Sequence, residues 1–313
     1  MRRVLAARDT RRTVAALGTF GVLLVVAAAI VVVAGSDRPL PQRAFLTGTW
    51  PAVLAHRGAS ADAPENTLEA FSLALDMGAD ILELDVHATS DGVPVVIHDD
   101  TIDRTSEGTG RVAALTLAEL RQYDFGYAFS RDGGATHPYR GKGVRIPTLE
   151  EVLARLPRAR VNAEIKQLAP VIERQVWEVV QRTHAEDRVL ITATPEAMVR
   201  WLAVAGERTA VVTDTNEAGR FVGSVVAKLA VYRPAGDMVQ LPLAWKLGST
   251  TIPLDTPEIV ARAHSLGLRI DYWTIDDDTT MRRLFTLGAD AVTTDHPDRA
   301  VKVLESLGLR RRR

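Results

Sequence analysis

Residues 81–86 read ILELDV, a short apolar run in which Glu83 and Asp85 stand two positions apart. Side chains two positions apart on a β-strand point to the same face, so the run predicts a strand with two carboxylates side by side. Acids on the inward face of an apolar strand are costly unless they are paired or bind an ion. This segment therefore predicts a strand of a buried sheet that also carries a functional site.

Seven other short apolar runs alternate with longer amphipathic segments along the chain. The candidate strands are residues 52–56, 81–86, 161–165, 189–192, 210–213, 238–241, 269–274 and 291–294. The candidate helices are residues 67–77, 149–155, 171–182, 196–204, 218–229, 257–266, 279–287 and 299–307. Eight strand–helix units in about 260 residues predict an α/β fold, the (β/α)8 TIM barrel. An open doubly wound sheet is the alternative, although it would not need eight units.

Two further segments interrupt this alternation. Residues 93–97 form a ninth apolar run, which we interpret as an extra strand in the loop after the second barrel strand. Residues 100–145 are polar, rich in glycine and too long for a simple connection. We therefore predict a small insertion after the second strand, over one end of the barrel, with a short helix at residues 117–123.

The N-terminal region predicts a membrane anchor. Residues 14–35 contain no charge over 22 positions, and five arginines precede them. A membrane-spanning helix needs about 20 apolar residues, and the positive-inside rule keeps the basic residues 1–13 cytoplasmic. The predicted order is then a transmembrane helix or signal anchor (14–35), a linker (36–49), an extracytoplasmic catalytic barrel (50–309) and a solvated basic tail (310–313). A cleaved signal, which would give a secreted protein, is the alternative.

Composition excludes several classes of protein. The net charge of −1 argues against a general nucleic-acid binder, which is usually strongly basic. The chain contains no cysteine, which excludes disulfides and thiolate metal sites.

Side chains that bind ions or transfer protons collect where the candidate strands end, which is where barrels of this kind place active sites. Paired carboxylates can hold a hard divalent cation, and two histidines can supply a proton donor and a proton acceptor near neutral pH. The planar, permanently charged guanidinium of an arginine is well suited to bind a phosphate. Together these groups predict cleavage of a phosphate ester. The residues at the strand ends are His56, Arg57, Glu83, Asp85, His98, Glu164, Lys166, Trp273 and Asp295.

Nine short motifs, in this order and with long spacings, resemble those of the glycerophosphodiester phosphodiesterase family. They read HRG (56–58), PENT (64–67), ELDV (83–86), DG (91–92), VVIHD (95–99), IPTLE (146–150), EIK (164–166), WT (273–274) and TD (294–295). The resemblance runs from about residue 53 to about residue 297 and leaves the predicted anchor outside.

The resemblance implies a role for each matching residue. It implies that Glu83, Asp85 and Glu164 bind a divalent metal ion, either Mg²⁺ or Ca²⁺. It implies that His56 and His98 form the catalytic histidine pair.

It also implies that Arg57 and Lys166 contact the substrate phosphate. We expect Trp273 to form a pocket wall that contacts the glycerol or its leaving group. Where the family usually reads Trp-Thr-Val-Asn, this chain has Ile275 and Asp276 after Thr274.

Several neighbouring residues allow two interpretations. Asn66 could cap the helix that follows, with Glu65 just outside it, or both could belong to the site. His87 alternates with the two carboxylates of its strand and could line the pocket. We interpret Asp295 as a cap of the last helix, outside the site. The acids at residues 276–278 are interpreted as a helix N-terminus.

The resemblance implies metal-dependent hydrolysis of glycerophosphodiesters to glycerol 3-phosphate and an alcohol, by histidine acid–base catalysis and through a cyclic phosphate. A lysophospholipase D that acts on lysolipid is a second hypothesis, because an anchor would keep the site near lipid. An inactive, membrane-anchored binding protein is a third, although both histidines and all three acids are present.

Overall fold

The computed structural model describes residues 43–229 and 232–311 of the chain. The predicted cytoplasmic segment (1–13) and membrane span (14–35) lie outside these residues. Within residues 43–229 and 232–311, no helix has both the length and the apolar character needed to cross a bilayer.

Eight parallel strands form the predicted barrel. They are β1 (Ala52–Ala55), β2 (Ile81–Ala88), β4 (Arg160–Ile165), β5 (Val189–Ala193), β6 (Ala210–Val211), β7 (Met238–Leu241), β10 (Arg269–Tyr272) and β11 (Ala291–Thr294). Their order around the sheet is β6-β5-β4-β2-β1-β11-β10-β7. A parallel bridge between Val212 and Met238 joins the two ends of this order and completes the ring. The predicted TIM barrel is confirmed, with shifts of a few residues at the strand ends.

Helices alternate with the barrel strands. They are α1 (Leu68–Asp76), α2 (Leu117–Leu120), α3 (Leu149–Arg155), α4 (Glu173–Arg182), α5 (Pro195–Ala205), α6 (Thr215–Val226), α7 (Pro257–Ser265), α8 (Asp278–Leu287) and α9 (Pro297–Ser306). Threonine or aspartate side chains cap most of their N-termini, each cap contributing about 1 kcal/mol. The cap of α1 is Thr67, which accepts the Ala70 N–H, and the proposed cap at Asn66 is wrong. Asp277 caps α8, as the acids there predicted.

The N-terminal end of the barrel is closed by part of the segment predicted as a linker (36–49). Ala44–Thr47 forms a 3-10 helix, and Phe45 is only 1% exposed within the apolar cluster at the start of the strands. Arg160, the first residue of β4, donates to the carbonyls of Phe45 and Thr49. These residues therefore belong to the barrel, because their apolar side chains cover its open end.

The predicted extra strand is β3 (Pro94–Val96), which pairs antiparallel with β2. The insertion after it has its own apolar cluster, in which Ile102, Leu120, Phe125 and Ile146 are buried. The hairpin β8 (Ala244–Leu247) and β9 (Thr250–Pro253) was not predicted from the sequence. Most residues of β9 are exposed, so no apolar alternation marks it.

The predicted solvated tail (310–313) is wrong at its first residue. Arg310 donates to Asp80 at 2.7 Å, and both side chains are largely buried. Asp80 in turn accepts the Val53 N–H at 2.9 Å, so Arg310 is tied to the first barrel strand.

Candidate active site

A cleft of 410 Å³ opens at the carboxyl ends of the barrel strands. All eight residues predicted to bind metal, transfer protons or contact phosphate and substrate line it. They are His56, Arg57, Glu83, Asp85, His98, Glu164, Lys166 and Trp273. The parallel topology explains this assembly, because every strand of such a barrel ends at the same rim.

The three predicted metal carboxylates lie together in this cleft. One oxygen from each of Glu83, Asp85 and Glu164 lies within 4.8 Å of the other two. Glu83 and Asp85 share the inward face of β2, and Asp85 stands directly opposite Glu164 in the register of β2 and β4. Glu83 and Asp85 are buried, whereas Glu164 is partly exposed.

The electrostatics of this cluster fit a divalent cation. Burial, together with the charges of Asp85 and Glu164, raises the pKa of Glu83 to about 8, even though His56 and the Arg57 N–H act against the rise. Buried carboxylates that repel each other in this way are stabilised by a hard cation with oxygen ligands. The three residues could therefore hold Mg²⁺ or Ca²⁺.

Lys166 and Arg57 border the same carboxylates. The Lys166 ammonium lies 2.8 Å from a Glu164 oxygen and 3.4 Å from Asp85. Burial opposes the charge of Lys166, but Glu164 and Asp85 outweigh it and raise the lysine pKa. The Arg57 Nε lies 3.4 Å from Asp85. Both cations therefore remain charged beside the cluster, where an anionic substrate would meet them.

His56 is held by a carboxylate that the sequence interpretation had placed outside the site. The Nδ1 atom of His56 lies 2.6 Å from Asp295 Oδ1, and the Ser60 hydroxyl donates to the same oxygen at 2.8 Å. Burial opposes protonation of His56, but the hydrogen bond to Asp295 and the charge of Glu83 outweigh it and raise the histidine pKa. The Asp295 contact occupies Nδ1 and leaves Nε2 for the cleft.

His98 has the same arrangement with its own carboxylate. Its Nδ1 atom lies 2.7 Å from Asp99 Oδ1, and the Arg104 Nε donates to Asp99 Oδ2 at 2.6 Å. Burial tends to raise the pKa of Asp99, but the hydrogen bonds from Arg104 and His98 outweigh burial and lower this pKa to about 2. Asp99 is therefore a permanent anion that orients His98.

The backbone of Arg57 helps to build the carboxylate cluster. Arg57 lies in the left-handed region, with a φ of 56°, and its N–H donates to Glu83 Oε2 at 2.9 Å. Its guanidinium donates to Glu65 at 2.9 Å, and Arg104 donates to both oxygens of Glu65. Glu65 thus links Arg57 to Arg104, which in turn holds Asp99.

Comparison with known proteins agrees with this geometry. Residues 56–299 match the Glycerophosphoryl diester phosphodiesterase family. The chain belongs to this family. A glycerophosphodiester phosphodiesterase from Caldanaerobacter subterraneus is 31% identical, over 82% of this chain and 98% of its own length. A glycerophosphodiester phosphodiesterase from Bacillus altitudinis is 32% identical, over 82% of this chain and 98% of its own length.

Solved structures show the same architecture. The glycerophosphoryl diester phosphodiesterase domain of a Mycobacterium tuberculosis protein has a TM-score of 0.71 at 24% identity and covers 80% of this chain and 97% of its own, a likeness of fold. An Oleispira antarctica phosphodiesterase, solved in complex with the product sn-glycerol-3-phosphate, has a TM-score of 0.67 at 26% identity. The match covers 84% of this chain and 100% of that one.

Three residues considered for the site of this family member lie outside the lining of the cleft. The Asn66 amide donates to Asp85 Oδ2 at 2.8 Å, and its oxygen accepts the Asp85 N–H, so Asn66 holds a predicted metal ligand from behind. Glu65 holds Arg57, as described above. His87 does not line the cleft, because β2 continues to Ala88 and the Nε2 atom of His87 lies 3.2 Å from the His98 carbonyl.

Sequence reasoning assigned Asp295 and Asp276 to helix N-termini and gave Asp99 and Arg104 no role. Asp295 does not cap α9, whose N-cap is His296, and it contacts His56 instead. Asp276 accepts the Asp295 N–H and the Thr294 hydroxyl, each at 2.9 Å. Asp276, which stands where the family usually has asparagine, therefore still provides a hydrogen-bond acceptor. This acceptor holds the end of β11 just before Asp295.

Proposed function

We propose that the chain hydrolyses glycerophosphodiesters to glycerol 3-phosphate and an alcohol, using a divalent cation and the pair His56 and His98. Family membership makes the chain a phosphoric diester hydrolase of this class. The observation that carries the mechanism is that two carboxylate-bound histidines line one cleft together with three clustered acids.

Glu83, Asp85 and Glu164 would hold the cation. When bound, it neutralises phosphate charge and lowers the pKa of the neighbouring glycerol hydroxyl. The protein's own groups then move the protons. His56, with its Nδ1–H donated to Asp295, accepts the hydroxyl proton at Nε2, and the raised pKa of His56 makes it a stronger base.

The glycerol oxygen then forms a bond to phosphorus, and the bond from phosphorus to the alcohol oxygen breaks. His98 donates a proton to that leaving oxygen, which gives a neutral alcohol and a cyclic phosphate. Water opens the ring with the two histidine roles reversed. Arg57 and Lys166 hold the phosphate oxygens while negative charge spreads over them.

The position of the N-terminal segment favours a water-soluble substrate. If residues 14–35 span a membrane, seven residues, 36–42, remain before Arg43. Fully extended, they reach about 25 Å. Arg43 lies at the end of the barrel opposite the cleft, where it pairs with Asp237 just before β7.

The height of the barrel alone would take up most of this reach. The eight residues of β2 span about 26 Å along the strand. Because barrel strands tilt by about 36° from the barrel axis, this is about 21 Å of height along the axis, and the loops add to it. To bring the cleft mouth to the bilayer, the linker would have to run the whole height of the barrel and its loops. We therefore propose an extracytoplasmic barrel whose cleft faces away from its own membrane.

One observation favours the lysophospholipase D alternative. After Lys166, the loop to α4 exposes Leu168 and Val171, with 50% and 52% of their surfaces accessible. Gln167 fixes this loop by donating to the Pro170 carbonyl and accepting the Ala88 N–H. An apolar tip at the cleft edge would suit an acyl chain.

An assay of the full chain in detergent tests these functions. We expect release of glycerol 3-phosphate from glycerophosphocholine that EDTA abolishes and Mg²⁺ or Ca²⁺ restores, and loss of turnover in His56→Ala and His98→Ala. Metal-dependent release from lysophosphatidylcholine alone, reduced by Leu168→Ser, would favour the alternative. No release from either substrate with either metal would refute the enzymatic proposal and favour a binding role.

A further inference from the structure

The cleft has two chemically different walls. The wall formed by β1, β2, β4 and the segment after β3 carries the histidines, the acids and both cations. Across the ring, the ends of β6, β7 and β10 supply Thr213, Asp214, Trp245 and Trp273, which we call the headgroup wall. In the described part of the chain, no lysine or arginine lines the headgroup wall.

The two indoles are placed by the fold. Trp245 lies on β8 and packs partly against the apolar core. The Tyr272 hydroxyl donates to the Leu254 carbonyl at 2.8 Å, which ties the hairpin to the end of β10. The backbone N–H of Trp273 donates to the Leu241 carbonyl, which fixes the main chain at this position. Trp273 nevertheless remains 49% exposed. Both indoles therefore present aromatic surface to the cleft.

Polar groups of the same wall are also available. Asp214 caps α6 through Oδ1, which accepts the N–H groups of Asn216 and Glu217 at 2.8 and 3.0 Å. These bonds leave Oδ2 for a ligand. Thr213 is buried, and its hydroxyl finds no hydrogen-bond partner among residues 43–229 and 232–311.

We propose that the headgroup wall binds the leaving alcohol and selects an alcohol that carries an ammonium group. This inference rests on the proposed function, in which the glycerol hydroxyl lies beside His56 and the three acids, so that the other ester branch extends toward the opposite wall. Aromatic faces attract ammonium groups, and Asp214 supplies the opposite charge. An anionic alcohol meets only the negative charge of Asp214 there.

The test compares two esters of the same shape. One is glycerophosphocholine, and the other is its isostere in which carbon replaces the positively charged nitrogen. With the full chain in detergent, we expect kcat/KM to favour the choline ester by about tenfold, as a partly desolvated cation–aromatic contact provides. Asp214→Asn and Trp245→Leu should each reduce this preference severalfold, because removal of the charge or the aromatic face weakens the choline ester more than the neutral ester.

Asp277→Asn is the matched control, because Asp277 also caps a helix but does not line the cleft. Asparagine caps helices as well as aspartate does, so both variants should fold, and the thermal midpoint checks this. Equal kcat/KM for the two esters in the wild type, or an equal effect of Asp277→Asn, would overturn the headgroup proposal. Failure to cleave either ester with Mg²⁺ or Ca²⁺ would instead refute the proposed function. If Asp214→Asn does not fold, the wild-type ratio and Trp245→Leu still decide.

Discussion

Asp295→Asn is the change that tests most directly how the site controls its histidine. The substitution keeps the size of the side chain and removes its charge. Ser60 donates to the same Oδ1 atom that contacts His56, so the asparagine oxygen should occupy that position and still accept the Nδ1–H. The histidine then keeps its orientation and its tautomer, and the variant isolates the effect of the charge.

The structure sets the size of that effect. A hydrogen bond to a charged group contributes about 1.5–3 kcal/mol. The His56 and Asp295 side chains are 21% and 36% exposed, so solvent screening reduces this by about half. A remaining effect of about 1–1.5 kcal/mol corresponds to a loss of about 5- to 15-fold in kcat/KM. Because Asp295 raises the pKa of His56, the variant should also have a lower His56 pKa.

The assay is the pH dependence of kcat/KM for glycerophosphocholine at saturating metal. If His56 is the base, the acid limb of the profile should move to lower pH, whereas movement of the alkaline limb would make His56 the acid. Asp290→Asn is the control, since it changes a third histidine–aspartate pair, with His264 at 2.9 Å, outside the cleft. Activity within twofold of wild type and an unmoved profile would refute the positioning of His56 by Asp295.

Three other predictions follow from the same contacts. Asn66→Ala should weaken activation by Mg²⁺ or Ca²⁺ about 10- to 100-fold, measured by metal titration of activity, because Asp85 loses the amide that orients it. Burial raises the pKa of Glu83 from 4.5 to about 8 without a cation, so the metal-free protein should lose stability as pH rises through this window. Added metal displaces that proton, and its effect on the thermal midpoint should therefore grow over the same range; a pH-independent shift would contradict this. Phe45→Ala should lower the free energy of unfolding by about 3–5 kcal/mol in urea titrations without changing kcat, because Phe45 lies at the far end of the barrel from the cleft.

The barrel could be predicted because its strands are short, apolar and separated by amphipathic helices, a pattern produced by burial on both faces of a parallel sheet. Elements stabilised by other means could not be predicted. The β8–β9 hairpin is largely exposed, and Ala44–Thr47 is placed by contacts with Arg160, far away in sequence. Neither leaves a periodic signal in its own segment.

The site was predicted to the extent that its residues end barrel strands. Asp295 escaped because an aspartate before a histidine and a proline looks like a helix cap, and only the fold brings it 2.6 Å from His56, 239 positions away. His87 was considered because it alternates with Glu83 and Asp85. Alternation predicts on which face of a strand a side chain lies, but not how far along the strand it lies. β2 extends beyond the cleft, beneath the insertion.

The separation of the two walls has a consequence for how specificity can change. His56, His98 and the metal carboxylates depend on buried partners such as Asn66 and on charges within a few ångströms, so a substitution there disturbs several contacts together. In the headgroup wall, Trp245 lies on the β8–β9 hairpin, which adds no strand to the barrel sheet. Changes at Trp245 should therefore alter which alcohol is released without altering the pH dependence that His56 imposes.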